Sequence, residues 1–145
     1  LGIYIRKAPS ETFSDSEEIS QFLDAALDYT TLCELEGDRK SISDLIRECY
    51  EDPGKLCSDN NNVCSHLSNN LKNLIEASWK FSIDNPQQGY VLSIFEPMSD
   101  DNQLTGFPLE PAVCNTLSSI RSDKLISTTS GPIRIELRIC LNVEN

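Results

Sequence analysis

A chain of 145 residues has the length of one domain and can bury a genuine core, so a single domain over residues 1–145 is expected. Hydrophobic content of 39% beside 24% charged residues excludes a disordered chain, and no stretch approaches the ~18 consecutive apolar residues of a membrane helix. With 23 acids against 12 Lys and Arg, a formal charge of −11, the surface repels phosphate backbones and anionic lipid, so neither nucleic acid nor membrane is an expected partner.

The opening Leu1-Gly2-Ile3 is expected to be a mature N-terminus whose leader has been removed. Gly2 to Lys7 reads as a short strand or extended arm stopped by Pro9. Ser14-x-x-Glu17 has the form of a capping box, and Ile19, Phe22, Leu23, Ala26 and Thr30 follow at helical spacing. This predicts a helix over residues 15–32, with the chain breaking near Gly37. Ser41-x-x-Asp44 caps a second helix, in which Ile42, Leu45, Ile46 and Cys49 share one face and Asp52-Pro53-Gly54 ends the run. Cys57 to Cys64 encloses a polar, Asn-rich loop. A third helix over 62–77 buries Cys64, Leu67, Leu71, Leu74 and Ile75, and leaves His66, Asn69, Asn70 and Asn73 on its wet face.

The period then changes from 3.6 to 2. Trp79, Phe81 and Ile83 alternate with polar residues, residues 85–89 turn the chain, and residues 90–95 return, which predicts a hairpin. Residues 96–108 read as a surface loop. A fourth helix is expected over 109–125, with Pro111 in its first turn and Val113, Leu117 and Ile120 on its apolar side. Ser127 to Pro132 reads as a linker. The last strand places Ile133, Ile135, Leu137 and Ile139 inward, with Arg134, Glu136, Arg138 and Cys140 outward. The elements predict an α+β fold: an antiparallel sheet of three to four strands covered on one face by amphipathic helices and stapled by disulfides.

Cys33, Cys49, Cys57, Cys64, Cys114 and Cys140 make an even set, with only one Met and one Trp beside them. That usage predicts disulfides and an oxidising, extracellular compartment. No pair has C-x2-C or C-x4-C spacing and His66 is the single histidine, so no zinc site or other cofactor is expected. Six cysteines allow many connectivities, which spacing alone does not resolve.

His66 lies among asparagines, away from any G-x-S-x-G serine, and no phosphate-binding glycine loop is present. Paired carboxylates are the one catalytic chemistry left open, and no pair stands out; the chain is expected not to be an enzyme. Trp79 is expected in the core, with interface anchoring as the other reading. If exposed, Phe95 and Phe107, with the adjacent acids Asp100 and Asp101, would form the candidate interaction surface.

The cysteine-bounded loop and amphipathic helix leading to Trp79-Lys80-Phe81, followed by a hairpin, a helix bearing Cys114 and a strand ending at Cys140, form a further pattern. Over residues 57–140 it resembles the LARS avirulence family of secreted effectors from plant-pathogenic fungi. It is more broadly similar to the killer-toxin-like α/β fold. Ser82 stands where that family carries its second basic residue. The resemblance implies a monomer secreted into the apoplast or delivered into host cells. There it would bind host proteins, a plant immune receptor among them. A killer-toxin-like antimicrobial protein and a stapled extracellular enzyme or enzyme inhibitor remain the alternatives.

Overall fold

The computed structural model describes residues 11–82, 87–111, 114 and 118–141. The strand or arm expected at Gly2–Lys7 lies outside them. The fold is α+β, with helices, a two-stranded and a three-stranded antiparallel sheet, and three disulfides.

Helix α1 spans Glu11–Leu27. It begins before Ser14, so Ser14-x-x-Glu17 lies inside the helix and is not its cap. It also stops short of residue 32. The N–H of Tyr29 closes the last turn onto the Ala26 carbonyl at 3.1 Å, and the β-branched Thr30 and Thr31 open a strand instead. Ile19, Leu23 and Ala26 are buried, as their spacing requires.

Strands β1 (Thr30–Leu35) and β2 (Asp38–Ser41) form a hairpin where only the tail of a helix was expected. The turn is Glu36-Gly37, with φ of 55° and 86°. Two successive left-handed residues make the type I′ loop whose twist matches the strands it joins. Gly37 therefore turns a hairpin and ends no helix. Thr31, Cys33 and Leu35 point inward, and the buried Thr31 hydroxyl donates to the Lys40 carbonyl at 2.8 Å while accepting from the Cys33 N–H at 3.1 Å.

Helix α2 (Ile42–Glu51) has Ser41 as its N-cap, accepting from the Asp44 N–H, and buries Ile42, Leu45, Ile46 and Cys49. Helix α3 (Val63–Ser78) is capped by Asn62, which accepts from the Cys64 and Ser65 N–H groups. Both bury the stripes their spacing predicts, Leu74 alone being only half-buried, and α2 lies against α3.

Among the described residues the first strand of the hairpin expected from Trp79 is absent, and residues 83–86, which include Ile83 and the start of its turn, lie outside them. Trp79 is the C-cap of α3, its N–H bonded to the Ile75 carbonyl at 3.1 Å, and residues 79–82 have no regular structure. Their aromatic rings are half-buried against separate neighbours, Trp79 on Phe22 and Phe81 on Tyr90, so the alternation reflects two packing contacts and not a pleat. Of the expected fourth helix, Val113 and Leu117 lie outside the described residues, and its C-terminal part is a strand instead. Residues 119–126 form β4 (Ser119–Ile126), which pairs antiparallel with β5 (Ile133–Leu141) along its whole length. Ile120 and Ile126 face the core, but the inward positions between them are Ser122 and Lys124, which hid the strand period. Lys124 is accommodated by Asp24 of α1 at 3.2 Å. The predicted linker after Ile126 is the loop of this hairpin, closed by Thr128 and Gly131.

Strand β3 (Gln87–Phe95) pairs with the other edge of β5, giving the order β3-β5-β4. One face carries Tyr90, Leu92, Ile94, Ile133, Ile135, Leu137 and Ile139, all buried beneath the helices. The other carries Arg121, Asp123, Leu125, Arg134, Glu136 and Arg138. Cys140 shares this outward side but is buried, tied to Cys114. The free edge of β3 is covered by the loop of residues 96–109: Leu92 and Leu109 exchange backbone bonds, Leu104 N–H bonds the Ile94 carbonyl, and the Gln103 side-chain oxygen accepts from the Ile94 N–H. Covered edges of this kind prevent strand addition.

Candidate functional site

The six predicted cysteines pair as Cys33–Cys57, Cys49–Cys64 and Cys114–Cys140, with Cα separations of 5.2, 5.0 and 5.8 Å, and none is free. Cys33–Cys57 binds the loop after α2 to β1, and Cys49–Cys64 joins α2 to α3. No helix among the described residues is long and apolar enough to cross a membrane.

The open side of the three-stranded sheet forms the first candidate site. Directly opposite residues on its pleat are Phe95 with Arg134, Ser93 with Glu136, and Asp123 with Glu136. Arg134 stands at the centre. Its guanidinium lies 4.2 Å above the Phe95 ring and within 3.5 Å of Asp100, 3.9 Å of Asp123 and 3.9 Å of Glu136. Arg121 reaches Glu136 at 3.2 Å from the neighbouring strand. Arg121, Asp123, Arg134 and Glu136, with Ser122, line a shallow depression of about 280 Å³. Each exposed pair is worth little by itself, but one guanidinium shared by three carboxylates and a ring is held in a fixed direction.

The predicted interaction residues are only partly gathered here. Phe95 and Asp100 meet at Arg134. Asp101 is exposed on the loop, its N–H donating to the Ser99 hydroxyl at 3.2 Å. Phe107 is half-buried and packs on the core, so the condition of two exposed phenylalanines is not met. The apolar side chains that are exposed nearby are Met98, at 91%, and Leu125, at 66%. Met98 has a φ of 60°, and the side chains of Pro97 and Met98 lie beside Gly131 of the β4–β5 loop. Of the family-motif residues, Trp79 and Phe81 are half-buried against α1 and β3, and Lys80 lies between them on the surface.

The second site corrects the reading of His66. Its side chain is only 13% exposed and its Nε2 lies 2.8 Å from Asp59 Oδ2, so it is not a solvated surface histidine. The Cys57–Cys64 loop folds back because Asn60 takes a left-handed φ of 68° and the Cys57 N–H bonds the Asn61 carbonyl at 2.8 Å. Asp59 then accepts from the Asn61 N–H at 3.0 Å and from its side-chain amide at 3.1 Å. The Asn61 N–H, and after it the His66 ring, hold the Asp59 carboxyl below its usual range. Cys57 Sγ, an Asp59 carboxylate oxygen and a His66 ring nitrogen all lie within 4.8 Å of one another. The Asp59-x-Asn61 turn was the available signal; nothing in the spacing linked it to a histidine seven residues on.

No family model, no curated protein and no solved structure matches the chain.

Proposed function

We propose that the protein is a secreted binding protein of the effector type, acting on host components of a plant and open to recognition by a host immune receptor. The observation that carries this reading is the outer sheet face: Arg134 fixed between Phe95 and three carboxylates, flanked by exposed Met98 and Leu125, on a scaffold cross-linked by three disulfides. An aromatic–arginine pair beside exposed apolar side chains is the composition of a binding hot spot. The cross-links support a working place outside the cell, where such bonds persist.

The test is expression of the chain in host leaves, scored for suppression or triggering of immune responses. The expected result is an altered response that is lost in the double variant Leu125→Asp/Arg134→Glu while its melting temperature stays within a few degrees of the wild type. A wild-type chain inert in every host genotype would overturn the proposal. Full activity of the double variant would move the binding surface elsewhere.

A further inference from the structure

The corner where β1, the 57–64 loop and the first turn of α3 meet holds more chemistry than a disulfide requires. Cys33 and Cys57 are 0% and 3% exposed, and their bond joins β1 to the loop. His66 and Asp59 close over the Cys57 sulfur, with three donor atoms already inside a 4.8 Å sphere of mutual distances. In the oxidised chain the sulfur is a disulfide and has no charge to offer a metal. Its partner sulfur, on Cys33, is bonded to Cys57 Sγ but stands outside that group of three, and opening the bond frees it to turn toward them.

We propose that opening the Cys33–Cys57 disulfide converts this corner into a four-ligand zinc site made of Cys33, Cys57, Asp59 and His66. The reductant is a dithiol. Two electrons and two protons pass to the protein sulfurs, giving two thiols, while the dithiol leaves as a cyclic disulfide. Zinc then displaces both thiol protons to solvent. Two soft thiolates and a neutral imidazole, with one carboxylate, complete a tetrahedral set, and the sulfur and nitrogen donors select zinc over calcium or magnesium.

The geometry is close to what the ion demands. With bonds of about 2.0–2.3 Å, ligand atoms around tetrahedral zinc stand roughly 3.3–3.8 Å apart. The Cys57, Asp59 and His66 donors, within 4.8 Å of one another, therefore need about 1 Å of convergence, while the two sulfurs must part and Cys33 Sγ must swing toward the other ligands. The Cα atoms of Cys33 and Cys57, 5.2 Å apart, hold both sulfurs at this corner. Asp59 is oriented by its two bonds from Asn61, and β1 stays tied to the loop by the Ser58 N–H on the Glu34 carbonyl at 3.1 Å. Outer partners of this kind hold metal ligands in place. The bond between His66 and Asp59 is exchanged for two bonds to metal, so neither group is left unpaired.

The corner is then held by sulfur–sulfur bonding in an oxidising compartment and by zinc in a reducing one, whatever the protein's target.

The experiment titrates Co²⁺ and then Zn²⁺ into the full chain, oxidised and after dithiol treatment with the reductant removed anaerobically. The expected result is one Co²⁺ per reduced chain, with thiolate charge-transfer and tetrahedral ligand-field bands that Zn²⁺ abolishes, and no such bands from the oxidised chain. His66→Ala and Asp59→Ala should each weaken binding about tenfold or more, whereas Cys49→Ala/Cys64→Ala should keep the bands. Because reduction can unfold the chain, the melting temperature of reduced protein with and without Zn²⁺ is the second readout. Zinc should raise it in the wild type, and His66→Ala should need about tenfold more zinc for the same rise. Bands that survive Cys33→Ala, equal affinity in His66→Ala, or a reduced chain that zinc neither binds nor stabilises would each overturn the proposal.

Discussion

The rings of Phe22 and Trp79 meet edge to face, with centroids 5.0 Å apart and planes inclined at 64°. The first belongs to α1 and the second caps α3, so this contact joins elements far apart in the chain at the rim of the core. Trp79→Ala should lower stability by about 2–3 kcal/mol, less than for a fully buried tryptophan. A double-mutant cycle with Phe22→Leu, read by urea unfolding, should return a coupling of roughly 1 kcal/mol. A coupling near zero would show the two rings to be independent.

Asn62 ends the 57–64 loop and starts α3. Its side-chain oxygen accepts from the Cys64 N–H at 2.7 Å and the Ser65 N–H at 3.2 Å, while its amide donates to the Pro53 carbonyl at 2.7 Å. Asn62→Ala removes all three and should cost about 1–2 kcal/mol in thermal unfolding. Asn62→Asp keeps the acceptor and should lose less.

Tyr90 is 1% exposed and its hydroxyl donates to Glu76 Oε2 at 2.9 Å. Burial first, and then the Glu76 carboxylate, raise its pKa above the ordinary 10.0. The folded chain therefore keeps a proton that the unfolded chain has lost. The contribution of Tyr90 is intact below that ordinary value and declines as pH rises from it toward the folded value. Stability measured across this alkaline range should fall for the wild type, and the slope should be shallower in Tyr90→Phe. At neutral pH Tyr90→Phe should cost about 1 kcal/mol for the lost hydrogen bond.

The Glu36-Gly37 turn yields opposite effects from two substitutions. Nothing lies within 4 Å of a Cβ built on Gly37, so Gly37→Ala is penalised only by its φ of 86°, by about 1–2 kcal/mol. Glu36 already sits at a φ of 55°, which asparagine tolerates better, and Glu36→Asn should raise stability by several tenths of a kcal/mol. Calorimetry on the two variants checks both signs.

The elements that were legible carry their own caps and whole apolar stripes. Ser41 and Asn62 start α2 and α3, and β5 alternates without interruption from Ile133 to Ile139. Elements that depend on distant partners were not. Thr30 fits both the spacing of α1 and the opening of β1, and only pairing with Ser41 decides between them. The inward Lys124 of β4 has a partner on α1, a hundred residues earlier, so local pattern read a helix through it. The same distance hid the sites. Arg134 collects Asp100 and Asp123 from a loop and another strand, and Asp59 reaches His66 only once the loop has turned back. Cysteine usage predicted bonding without pairing, because spacing contains no information on which segments fold together.

The first two bridges overlap in sequence, one spanning 33–57 and the other 49–64. The exposed turn Asp52-Pro53-Gly54 falls inside both. A protease that cuts there leaves Cys33 and Cys49 on one fragment and Cys57 and Cys64 on the other. Both bonds then cross the break, so the nicked chain stays a single covalent molecule with its α2–α3 contact in place. The third bridge lies wholly within the later part of the chain. Damage at this exposed turn is thus tolerated twice over, and fragments part only when both sulfur bonds are reduced.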